Sequence, residues 1–251
     1  MRVATYNVRN GRSDQDTNRW SERSASFLAM LRSLDADLIG LQEPFAFQFE
    51  EILEACPEYR AVGVGREDGE REGEFCPILC RASGFEVIES GTFWLSDTPE
   101  TPGSSTWGNR VVRICTWARL RSLSDGVAFV HFNTHLDHES DYSRMRSVDL
   151  LFARMPRDLP LILTGDFNVG ESDSVIQRML ADGWIDAVRT VDPDGPEVGT
   201  FNNFGEGFGP DRIDYIFLSG HFTVKSAEIR RERVNGTWPS DHAPIVCDLS
   251  L

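Results

Sequence analysis

Leu159-Pro160-Leu161-Ile162-Leu163-Thr164-Gly165-Asp166-Phe167-Asn168 opens as an apolar run and closes on a carboxylate and an amide. The run reads as a strand covered on both faces. In extended chain, residues i and i+2 point the same way, so Asp166 and Asn168 are expected to reach one substrate atom. A carboxylate there activates a hydroxyl or water, and an amide holds it or donates to a developing oxyanion. The competing reading is a Gly-Asp turn that caps the next helix.

Three other apolar runs end in the same manner. Asn7 follows Val3–Tyr6, Glu43 follows Leu38-Ile39-Gly40-Leu41-Gln42, and Ser240-Asp241-His242 precedes Ala243-Pro244-Ile245. Gathering acids, amides and imidazoles at the ends of core strands costs solvation unless a cation or substrate compensates. A hard divalent metal with a histidine beside it accounts for the pattern. Glu43 is a hard oxygen donor suited to magnesium; otherwise it is an acid at a helix N-terminus before Pro44. Asp241 and His242 are adjacent and need a turn to converge, which Pro239 and Pro244 make available. Asp214 sits inside the apolar segment Ile213–Leu218, and a histidine is its natural partner, oriented and charged by it. In Asn133-Thr134-His135-Leu136-Asp137-His138, the two histidines suggest zinc, but the His-x-His-x-Asp-His pattern needs histidine where Asn133 stands. A dizinc site is therefore not expected.

Helical spacing predicts helices over about 18–34, 45–55, 141–155 and 172–182. Strands are expected over 2–8, 37–42, 59–65, 75–81, 84–94, 110–121, 126–136, 159–165, 212–218, 222–230 and 243–249. Arg66–Glu74 reads as a charged loop, and Ser96–Gly108 as a surface loop long enough to close over a substrate. Trp94 and Trp107 are either core residues or flanks for a base or sugar. Strand and helix alternate in both halves with no Pro/Ser-rich break, so residues 1–251 are read as one domain.

The chain carries 25 basic and 40 acidic residues, a net charge of −15. That balance disfavours long nucleic acid and an anionic membrane surface, although a bound cation and a local arginine patch can reverse the field at one site. Five cysteines at irregular spacings read as free thiols, which suits a reducing compartment. With no apolar leader and no run long enough to span a bilayer, a cytoplasmic location is expected.

Taken in order, the motifs Asn7, Leu41-Gln42-Glu43, Asn133–His138, Gly165–Asn168, Arg212–Phe217 and Ser240–Pro244 resemble the endonuclease/exonuclease/phosphatase superfamily along nearly the whole chain. Phe93–Ser96 and Arg113–Leu120 further resemble a small bacterial branch related to the deadenylase group. The resemblance implies a four-layer α/β/β/α sandwich, two packed mixed sheets flanked by helices, with the site at one end. It implies magnesium or manganese, with Glu43 as principal ligand and Asn7 and Asp241 nearby. Asp166 and Asn168 match the pair that positions attacking water and phosphoryl oxygen. His242 matches the catalytic histidine paired with Asp214, and His135 a second histidine that contacts phosphate. Arg9 and Arg113 are candidate phosphate contacts. The expected partner is a small phosphate ester or short nucleotide, taken up by a monomer. The rival readings are a magnesium-dependent nuclease and a non-catalytic binding protein that keeps the fold.

Overall fold

The computed structural model describes all residues, Met1–Leu251. In chain order the elements are β1 (Arg2–Asn7), α1 (Trp20–Ser33), β2 (Leu38–Gln42), α2 (Ala46–Ala55), β3 (Tyr59–Val62), β4 (Ile78–Arg81), β5 (Phe85–Trp94) and β6 (Ile114–Ser122). There follow β7 (Ala128–His135), α3 (Asp141–Arg154), β8 (Leu161–Asp166), α4 (Ser174–Ala181), β9 (Ile185–Asp186), α5 (Ala187–Val191), β10 (Asp214–Leu218), β11 (Thr223–Ile229) and β12 (Ile245–Ser250). One sheet has the order β11-β12-β1-β2-β4-β3, the other β5-β6-β7-β8-β10-β9. Each is mixed and built around a central parallel pair, β1 with β2 and β7 with β8.

Strand alternation explains the layers. On β1, Ala4, Tyr6 and Val8 pack outward with Phe27, Met30 and Leu31 of α1, whereas Val3 packs inward against the other sheet. On β8, Leu161 and Leu163 join Val148 and Leu151 of α3 and Ile176 of α4, while Ile162 faces the first sheet. The result is a four-layer α/β/β/α sandwich. Its helices start on side-chain caps where the sequence provides them: Ser140 Oγ accepts from the Ser143 N–H at 3.1 Å, and Asp173 Oδ1 from the Val175 N–H at 2.8 Å.

The inner faces are graded along the strands. On β7, Phe129 is followed on the same face by His131, Asn133 and His135; on β8, Ile162 is followed by Thr164 and Asp166. Val3, Thr5 and Asn7 repeat the sequence on β1. Hydrocarbon at one end gives way to a neutral polar layer and then to acids and histidine.

Several element bounds differ from expectation. The strand expected over 59–65 stops at Val62, where Gly63 takes φ of 141°. The strand expected from 110 begins only at Ile114. The pair β9 and α5 was not expected, being too short to show a hydrophobic period.

Candidate active site

Strand register assembles the site. His135 pairs with Asp166 across β7 and β8, and Asp166 with Asp214 across β8 and β10. Asn7 ends β1, Glu43 follows β2, and Asp241 and His242 lie in the bend before β12. Asp166 Oδ2 is the hub. It accepts from Asn7 Nδ2 at 3.0 Å and lies 3.5 Å from His135 Nε2 and 3.7 Å from His242 Nε2. His242 Nδ1 lies 2.9 Å from Asp214 Oδ2. Glu43 is held by Asn7 Nδ2 at 2.9 Å and by the backbone N–H and side-chain amide of Asn10, at 2.9 and 3.2 Å.

Asp166 and Asn168 do converge, but not by strand alternation. Asn168 lies beyond β8 with φ of 57°, its N–H donating to Asp166 Oδ1 and its side-chain amide to the Leu136 carbonyl, both at 2.9 Å. Arg9 and Glu43 are also left-handed, with φ of 59° and 71°. Three such residues around one cleft store of order 1–3 kcal/mol each, the pattern of a functional constraint.

Burial and neighbouring charge set the protonation states. Burial would lower the pKa of His242, but Asp214 and Asp166 more than reverse this and hold it well above its ordinary value. His135 goes the other way, kept neutral by burial and by Arg113 and Arg66. Burial pushes Asp166 up to about 7, aided by Asp214 and opposed by His242. Asp241 is pushed up to about 6 by burial, again against His242. Glu43 stays below its ordinary value because the Asn7 hydrogen bond, the His242 charge and the Asn10 N–H outweigh burial.

The donor set fits a divalent cation. Donor atoms of Glu43, His135 and Asp166 lie within 4.8 Å of one another, as do those of Asp166, Asp214 and His242. Asp241 Oδ2 is buried without a hydrogen-bond partner, its nearest cation being Arg9 Nη1 at 3.5 Å. Buried, partly orphaned carboxylates of this kind call for positive charge. Asn7 turns its amide nitrogen to Glu43 and Asp166 and its oxygen to the Arg9 N–H, 2.9 Å away. As it stands it bridges two acids rather than presenting oxygen between them.

Glu43, His135, Asp166, Asn168 and His242 open onto a cleft of about 380 Å³, lined also by Arg9, Arg113, Arg66, Glu74, His138 and Phe201, with Asn7, Asp214 and Asp241 buried behind it. Arg9 pairs with Asp14 at 3.0 Å. Arg113 is buried, with Nη2 3.0 Å from His138 Nδ1. A larger cavity, about 600 Å³, lies between Met1, Phe85 and Leu249 at the opposite strand ends and contains none of these groups.

The expected closing loop is a correction. No residue of Ser96–Gly108 lines the cleft, and the loop is tied down: Ser96 Oγ meets Ser104 Oγ at 2.6 Å, and Trp107 Nε1 donates to Asp97 Oδ1 at 2.8 Å. Trp107 is buried against the α3 side of the second sheet and Trp94 in a small cluster with Ile114, and neither lines the cleft. The hairpin ending in Arg66 and Glu74 walls the cleft instead. Its charges resembled an exposed loop in sequence, and nothing there marked Arg66, Glu74 or Asn10 for the site.

Beneath the site the sheets are joined by side chains. Asn133 Oδ1 accepts from Gln42 Nε2 at 2.8 Å and from Thr164 Oγ1 at 3.0 Å, while Asn133 Nδ2 donates to the Leu41 and Pro77 carbonyls at 2.6 and 3.0 Å. Gln42 also reaches Thr5, and His131 reaches Thr164, at 3.1 and 2.9 Å. Thr5, Gln42, Asn133 and Thr164 each stand one or two residues before a site residue, so this layer fixes the height at which the acids and histidine emerge.

The family model described as Endonuclease/Exonuclease/phosphatase family matches residues 4–242, and the chain belongs to that family. Its structure is similar to that of a mannosyl-6-phosphatase from Bacteroides thetaiotaomicron, at 34% identity and a TM-score of 0.91, with 100% of both chains covered. A Bacteroides vulgatus endonuclease/exonuclease/phosphatase is similar at 31% identity and a TM-score of 0.91, covering 100% of this chain and 98% of that one. Among curated relatives, Nocturnin of Rattus norvegicus is 25% identical over 265 residues, covering 93% of this chain. The chain spans 59% of that relative's length.

Proposed function

We propose that this protein is a divalent-metal-dependent hydrolase of phosphate esters, acting on a small phosphorylated metabolite or short nucleotide. The observation that carries the reading is Asp166 Oδ2 set 3.5 and 3.7 Å from the imidazoles of His135 and His242, the latter paired with Asp214 at 2.9 Å. Asp166, with its pKa raised to about 7, accepts a proton from water as the water attacks phosphorus. His242, cationic and held by Asp214, donates from Nε2 to a phosphoryl oxygen, and Asn168 and His135 add hydrogen bonds that strengthen as charge develops. Water's oxygen forms the new bond to phosphorus, the bond to the ester oxygen breaks, the departing alkoxide takes a proton from solvent, and Asp166 returns to solvent the proton it accepted. Glu43 and Asp241, with Asn7 holding the Glu43 carboxylate in place, would bind magnesium or manganese, which would supply charge neutralisation at the phosphoryl oxygens.

The net charge of −15 supports a small substrate over long nucleic acid. The mannosyl-6-phosphatase relative supports a phosphomonoester of a sugar. Site residues drawn from Asn7 to His242 support reading residues 1–251 as one catalytic unit. The five buried free cysteines agree with a reducing, cytoplasmic setting, and no helix is long and apolar enough to cross a membrane.

The test is hydrolysis of an aryl monophosphate, a bis-aryl diester, hexose 6-phosphates, a short oligonucleotide and plasmid DNA, with magnesium, manganese or chelator. Metal-dependent turnover of the small esters should fall by roughly 10²–10⁴-fold in His242→Ala and Asp166→Asn. Full activity in Asp166→Asn would remove its role. Plasmid cleavage as the dominant reaction would make the protein a nuclease.

A further inference from the structure

Two charged side chains face the cleft without a part in the hydrolytic step. Arg66 and Glu74 stand opposite each other on a hairpin whose ends are joined by the Arg66 N–H donating to the Glu74 carbonyl at 3.1 Å. Arg66 Nη1 and the Glu74 carboxylate form an ion pair, with side chains only 14% and 12% exposed. The hairpin is anchored on both sides. Trp94 Nε1 donates to the Arg66 carbonyl at 2.6 Å, and the Phe75 N–H to the Pro44 carbonyl at 2.9 Å, next to Glu43. The pair is thus a fixed wall of the same cleft that holds Asp166 and His242.

The chemistry of the pair limits what can lie against it. A hydrocarbon group would cover a carboxylate and a guanidinium without replacing their water. A second anionic group against this wall would meet Glu74, with Glu43 beyond it, and would reach Arg66 only by breaking its pair with Glu74. Hydroxyls suit both partners: each is a donor to carboxylate oxygen and an acceptor from guanidinium N–H, and neighbouring hydroxyls on a ring can use both at once. Arg113 adds further donors, its buried Nε making no hydrogen bond and standing 3.8 Å from Asp137 Oδ2. The cleft, about 380 Å³, is within the usual size range of small-ligand sites.

We infer that Arg66 and Glu74 form a subsite that reads vicinal hydroxyls, so the preferred substrates are phosphate monoesters of a polyhydroxylated alcohol, a hexose or a ribose. This rests on the phosphate-ester reading above and narrows it.

The experiment compares kcat/KM for a hexose 6-phosphate and cyclohexylmethyl phosphate, a primary alkyl ester without hydroxyls, and for AMP and its 2′,3′-dideoxy analogue, in the parent, Glu74→Gln and Arg66→Gln. The parent should prefer the hydroxylated member of at least one pair by about 10-fold or more, and the pair that shows it tells hexose from ribose. In both variants that preference should fall to near parity, a loss of roughly 10-fold or more, as expected for loss of one or two hydrogen bonds to a charged group. Equal use of both members by the parent overturns the inference with no variant needed, so misfolding of a variant cannot shelter it. A preference unchanged in folded variants overturns it as well. If the parent hydrolyses no phosphate ester, the functional reading itself fails, and the subsite falls with it.

Discussion

Gly40 lies in the middle of β2, facing Thr164 and Asn133 of the other sheet beneath the site. A Cβ placed there would stand 2.1 Å from Thr164 Oγ1 and 2.5 Å from Asn133 Oδ1. Neither oxygen is the loose end of a flexible chain, since Thr164 and Asn133 hold each other, Gln42 and His131. Gly40→Ala must therefore push the sheets apart or break the layer. Overpacking costs about 1–3 kcal/mol, and stranding one buried hydrogen-bonding group about 1–3 more. The entropic gain from replacing glycine, about 0.4–1 kcal/mol, offsets little of this. A net loss of about 3–4 kcal/mol corresponds to a melting point lower by roughly 6–16 °C for a chain of this size. Differential scanning calorimetry, with urea titration as a second measure, reads it directly. The same substitution in a Thr164→Ala background should cost less but not nothing, because Asn133 Oδ1 still blocks the position; the difference is a coupling of about 0.5–3 kcal/mol. Turnover should fall with stability, because Thr164 and Asn133 stand two residues before Asp166 and His135. If Gly40→Ala melts within about 2 °C of the parent, the polar layer is not the rigid spacer described.

Burial lowers the pKa of His131 to about 3, so the folded chain keeps it neutral where the unfolded chain, titrating near 6.5, takes up a proton. Its contribution is complete above about pH 6.5 and is lost as pH falls from there towards 3, at up to about 1.4 kcal/mol per pH unit. His131→Gln should flatten the acid limb of the stability curve relative to the parent, and parallel curves would refute this. Magnesium or manganese at about 100 times its dissociation constant should stabilise the fold by about 2.7 kcal/mol, seen as a higher melting point. Glu43→Gln should lose most of that shift; an unchanged shift would place the cation elsewhere. Arg212 is fully buried between Glu171, 2.7 Å away, and Asp186. Arg212→Met strands Asp186 and leaves Glu171 with Arg189 alone, so it should cost about 3–5 kcal/mol, partly restored by Asp186→Asn; a melting point equal to the parent's would show the network to be dispensable.

The strands that carry the chemistry were legible because both their faces are buried, so apolar runs such as Leu161–Leu163 stand out until Asp166 interrupts them. Asp214 was legible for the same reason, as a charge within hydrocarbon. The convergence of Asp166 and Asn168 was foreseen for an incorrect reason, since left-handed backbone at Asn168 does not register in a period of two. Trp107 misled because a loop rich in Gly, Ser and Thr suggested mobility, whereas one buried indole and Asp97 fix it. Arg66 and Glu74 were illegible because a charge pair reads as solvated surface until strand pairing shows what it faces. Asn133 was weighed only as a missing zinc ligand, although its place in the structure is to join the sheets.

The graded inner faces make catalysis a gauge of strand registration. A one-residue slip of β1, β7 or β8 would exchange the two rows of side chains, turning Asn7, His135 or Asp166 towards the helices and sending Tyr6, Thr134 or Gly165 to the mouth of the cleft. Such a chain could keep most of its secondary structure and still have no reactive centre. In a refolding mixture, specific activity therefore counts correctly threaded molecules, where a far-ultraviolet spectrum would count both kinds alike.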